Sequence, residues 1–108
     1  MGLDMYIEKC RKPNIVDGKH KYEERVEMCY WRGGYDLLQY GLPFTYGNEE
    51  CGEDIRLSKK DVEKILDYVT RHRDHFDSFD SVPQVCELLD QYDDLKDNGW
   101  VVCFNASW

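Results

Sequence analysis

Ser58 stands three residues before Asp61, and Val62, Ile65, Leu66 and Val69 then recur at i, i+3, i+4 and i+7. That combination constrains this chain more than any other stretch, because it specifies a capped amphipathic helix with one apolar stripe. The Ser58 hydroxyl can accept the backbone N–H of Asp61, and the Asp61 carboxylate can answer toward the Ser58 backbone. Lys59, Lys60, Glu63, Lys64 and Asp67 fall on the wet side, while His72 and Phe76 continue the stripe, so the spacing predicts a helix over 58–76. Ile55 and Leu57 flank Arg56 in a short extended run that feeds it. One apolar stripe must be buried against another layer, so the remainder of the chain has to supply a sheet or a second helix.

It supplies both. Pro83 suits the first turn of a helix over 82–98, capped by Asp80 or Ser81 and stopped by Asn98-Gly99, with Val85, Leu88, Leu89, Tyr92 and Leu95 as its stripe. Leu3, Met5 and Ile7 alternate with Asp4, Tyr6 and Glu8, the period of a strand with one buried face. Tyr22 to Trp31 reads as a second strand, and Trp100 to Ala106, rich in β-formers, as a last one. From Arg11 the run RKPNIVDGKHK reads as a solvated basic loop. Residues 35–40 read as a helical turn, followed by an aromatic loop with Phe44 and Tyr46 in which Tyr40, Phe44 and Tyr46 form a possible dimer surface or core lid. The expected fold is one α+β domain of 108 residues: a small antiparallel sheet including the N- and C-terminal strands, packed against two main helices.

Composition limits the function. Fourteen basic residues against twenty-two acidic ones give a formal charge of -8, which repels nucleic-acid phosphates and anionic head groups. The partner such a surface attracts is a basic protein. Five cysteines without a CxxC pair argue against a disulfide framework and for a reducing cytoplasm. No signal-like start and no apolar run of the roughly 20 residues that a membrane span needs is present.

Two acidic sets are the candidate partner-binding surfaces, with a merely solvated face as the other reading of each. Glu49, Glu50, Glu53 and Asp54 precede the first helix, and Asp90, Asp93, Asp94 and Asp97 repeat at i, i+3, i+4 and i+7, a single negative stripe opposite the apolar one. No cofactor is expected. The alternative is a zinc-binding domain or small thiol enzyme that uses Cys51 with His72 or His75, since metal binding needs three or four such ligands and a cysteine nucleophile needs a histidine base. Gly33-Gly34 and Cys51-Gly52 lack the glycine spacing and lysine of a phosphate loop.

The opening MGLDMYIEK, the Tyr30-Trp31-Arg32 motif, the run ECGEDIRLSKKDVEKIL from Glu50 to Leu66 and the closing FNASW together resemble a family of small uncharacterised proteins encoded mainly by bacteriophages, prophages and their hosts. Members of that family carry the YWR motif on a helix; here Gly33-Gly34-Tyr35 departs from the pattern that follows it. The resemblance implies a mobile-element origin, of phage or prophage, and transfers no catalytic residue to this chain. It also implies a class of job common to small acidic phage proteins, that of an anti-CRISPR-like inhibitor which blocks a host defence enzyme such as a CRISPR-associated nuclease in the bacterial cytoplasm.

Overall fold

A computed structural model of the chain describes residues 4–32, 53–72 and 82–107. The elements are β1 (Asp4–Val16), β2 (Lys19–Arg32), β3 (Ile55–Arg56), α1 (Lys59–Arg71), α2 (Val82–Asp97) and β4 (Val101–Ser107). The strands form one antiparallel sheet in the order β2-β1-β4-β3, so the N- and C-terminal strands are neighbours at its centre, and two helices pack on it as expected.

Capping and periodicity explain both helices. Ser58 Oγ accepts the Asp61 N–H at 3.1 Å and Asp61 Oδ2 accepts the Ser58 N–H at 2.9 Å, the reciprocal box the sequence specifies. Val62, Ile65 and Val69 are buried as expected, and Tyr68 joins them. α1 ends at Arg71 with His72 as its C-cap, short of the expected Phe76; the His72 N–H donates to the Tyr68 carbonyl, and residues 73–76 lie outside the described set. Along α2, Val85, Leu88 and Leu95 are buried and Leu89 and Tyr92 pack beside them. Gly99 at φ 82° stops the chain in the left-handed region after the helix. These stripes meet Met5, Ile7, Trp31, Val102 and Phe104 of the sheet, all in one core.

The expected loop over RKPNIVDGKHK is instead the far half of a long hairpin. β1 runs to Val16 and β2 starts at Lys19, with Val16 paired to Lys19 across Asp17-Gly18. Asp17 at φ 53° and Gly18 at φ 76° both take the left-handed conformation of a two-residue hairpin turn, for which Asp-Gly is the strongest short sequence signal. Pro13 is tolerated inside β1 because β4 pairs only with Asp4 to Cys10; beyond that point, among the described residues, β1 is one side of a two-stranded ribbon.

The sheet is also rolled. β2 and β3 are its opposite edges, yet Asp54, immediately before β3, accepts the Tyr22 N–H of β2 at 3.0 Å and pairs with Arg25 of β2 at 2.6 Å. Two edges separated by two strands meet only when the sheet curls. A register shift between Ile7 and Glu8 marks a bulge that increases such bending. The roll closes over the face turned from the helices, so Glu8, Cys10, Cys103 and Asn105 are buried there, and β4 is buried almost throughout instead of alternating. Glu8, expected on a wet face, is therefore an interior residue.

Candidate functional site

Asp54 and the α2 aspartates meet opposite fates. Asp54 has a side chain with no exposed surface and holds three partners: Arg25 Nη2 at 2.6 Å, the Tyr22 N–H at 3.0 Å and the Asn105 Nδ2 amide at 2.9 Å. Arg25 also reaches Glu8 Oε1 with Nη1 at 3.4 Å. An unpaired carboxylate at this depth would carry a large desolvation penalty; three donors offset it. Asp54 is thus removed from the partner-binding surface and assigned to closing the roll, a correction of the expectation. Glu53 is half-buried, and Glu49 and Glu50 lie outside the described residues. Burial raises the Glu8 carboxyl above its ordinary range, with Arg25 opposing the shift.

Asp90, Asp93, Asp94 and Asp97 are all exposed on α2. They occupy the side of the helix turned from Val85, Leu88 and Leu95. Lys59 Nζ pairs with Asp93 Oδ2 at 2.9 Å, an exposed bridge that ties the start of α1 to α2. The lysine is held above its ordinary range by that hydrogen bond first and by the Asp93 charge second.

Of the residues in the zinc or thiol alternative, Cys51 and His75 lie outside the described residues, and His72 caps α1 with its ring 4.4 Å from that of Tyr68. Among the described residues no group of three or more His, Cys, Asp or Glu side chains could hold a metal ion. Cys10, Cys29 and Cys103 are buried and Cys86 is exposed. Burial pushes the Cys29 thiol up to about 12, and a hydrogen bond to Cys10 together with burial raises Cys103, so neither is a ready nucleophile. Tyr40, Phe44 and Tyr46 lie outside the described residues, and Tyr30 to Arg32 end β2 as strand and not as helix.

Sequence reasoning missed Arg25, whose one visible signal was a cation within a strand, and it missed a cleft. The cleft, of about 380 Å³, opens where β3 passes into α1 beneath the last turns of α2, with Arg56, Tyr92, Lys96 and Trp100 on its wall. The Tyr92 hydroxyl donates to the Leu57 carbonyl at 2.7 Å and fixes the two sides of this corner together. No helix among the described residues is long and apolar enough to cross a membrane.

Comparison of the chain with protein-family models, with curated proteins and with solved structures finds no match.

Proposed function

We propose that this chain is a non-catalytic interaction protein that presents Asp90, Asp93, Asp94 and Asp97 to a basic protein surface. The observation that supports it is where these acids stand. The C-terminal end of a helix carries partial negative charge, which favours cations and disfavours carboxylates. α2 has no acid in its first turn, where one would stabilise it, and carries Asp94 and Asp97 in its last turn, where they do not. Like charges three and four residues apart add mutual repulsion. Each effect is a few tenths of a kcal/mol against folding, so stability does not account for the stripe, whereas complementarity to a cationic groove does.

The job in keeping with this surface and with the phage-like sequence is that of a viral accessory protein inhibiting a nucleic-acid-processing defence enzyme of a bacterial host, an anti-CRISPR-like role. A rigid negative helix can occupy a channel built for phosphates. The test has two arms. The immobilised chain is expected to capture a basic nuclease from bacterial lysate at low salt, and the purified chain to slow DNA cleavage by that nuclease. A variant with all four aspartates changed to asparagine should do neither. Equal capture and inhibition by the variant would remove the stripe from the account.

A further inference from the structure

We propose that the cleft between β3, the start of α1 and the last turns of α2 binds a small organic oxyanion with a flat apolar body. In a chain with eight more acids than bases, the cleft wall nevertheless carries Arg56 and Lys96, neither of which has an ion-pair partner among the described residues. Lys59, only three positions from Arg56, is by contrast paired with Asp93. The carboxylate in this wall, Asp61, already accepts the Ser58 N–H, so it is turned to the helix cap.

Positive charge continues behind the cleft. Lys9 Nζ lies 4.7 Å and Arg11 Cζ 4.1 Å from the centroid of the Trp100 ring. Arg11 also pairs with Glu24, whereas Lys9 has no ion pair among the described residues. The exposed Arg56 and Lys96 would take an oxyanion head, since guanidinium and ammonium groups are the usual partners of phosphate and carboxylate. Leu57, Val101, Tyr92 and Trp100 would cover an apolar body. A volume of about 380 Å³ suits a ligand of one ring and one head group. The site adjoins the aspartate stripe without using it: Lys96 lies beside Tyr92 on one flank of α2, one turn from Asp93, and none of the four stripe aspartates lines the cleft.

Phenyl phosphate and phenylacetate, titrated into the intact chain by calorimetry, test the proposal. Saturable one-to-one binding is expected for at least one of them, with a Kd on the order of 0.1–1 mM, and the tighter of the two identifies the head group. Arg56→Gln combined with Lys96→Gln should weaken it at least tenfold while leaving the unliganded melting temperature unchanged, because both side chains are exposed. Phenol and inorganic phosphate alone should bind at least tenfold more weakly. No saturation by either probe at 10-fold the expected Kd, undiminished affinity in the double variant, or phosphate binding as tightly as phenyl phosphate would each overturn it.

Discussion

The carboxylate of Asp54 is enclosed by an arginine, an amide and a backbone N–H, whereas those of Asp90, Asp94 and Asp97 stand in water along α2. The chemical group is identical, and the environment decides what it does. For Asp54, desolvation makes every donor obligatory, so the residue stitches β2, β4 and the approach to β3 into one rolled sheet. For the α2 aspartates, water screens each charge, and their sum acts at a distance that only a complementary surface would feel. The buried acid is therefore structural, and the exposed row is the one proposed to bind.

The comparison can be broken at its buried end first. Asp54→Ala leaves Arg25, Asn105 and the Tyr22 N–H without their shared acceptor and is expected to cost about 3 kcal/mol, toward the lower end for a buried pair because Arg25 is one-third exposed. Urea melts of the two proteins read this directly; a loss under 1 kcal/mol would mean that water replaces the carboxylate and that the roll is closed by other contacts.

A smaller effect tests the same interior through pH. The folded-state carboxyl of Glu8 is raised by burial, so the folded chain holds that proton more tightly than the unfolded chain. Its contribution is full below the unfolded carboxylate range and is lost as pH rises through the raised value. Glu8→Gln should flatten this part of the stability curve, from the ordinary carboxylate range upward. Glu24, lowered by hydrogen bonds from Lys12 and then Arg11, has the opposite sign, losing its contribution as pH falls, but it stands exposed on the hairpin where solvent screens it.

The smallest effect lies at the surface. Lys59→Ala removes the bridge to Asp93 and should leave stability nearly unchanged, because both side chains are exposed and solvent screens the pair. A larger loss in chemical denaturation would show that Asp93 has a structural duty its neighbours lack.

Much of the fold was legible in the residues because its determinants are local. Ser58 with Asp61, the two apolar stripes, the alternation of Met5 and Ile7 and the β-rich close each specify an element without reference to the rest of the chain. The hairpin was misread because Lys12, Pro13, Asn14, Asp17 and Gly18 have loop composition, while the fact that rescues Pro13, that β4 stops pairing at Cys10, is a property of the assembled sheet. Asp54 was misread for a similar reason. In sequence it is one of a run of acids, and only the curl of the sheet brings Arg25, twenty-nine positions earlier, against it. The Arg56–Lys96 cleft is nonlocal in the same way, since its walls come from β3, α2 and the residues before β4.

The most direct measurement pairs binding with stability in one protein, the variant with Asp90, Asp93, Asp94 and Asp97 all changed to asparagine. Its melting temperature should match or slightly exceed that of the parent, because the changes remove repulsion and an unfavourable helix-end charge, while its capture of the basic partner falls away. A variant that melts well below the parent, or that still captures the partner, would contradict the division between a folding carboxylate at Asp54 and a binding row on α2.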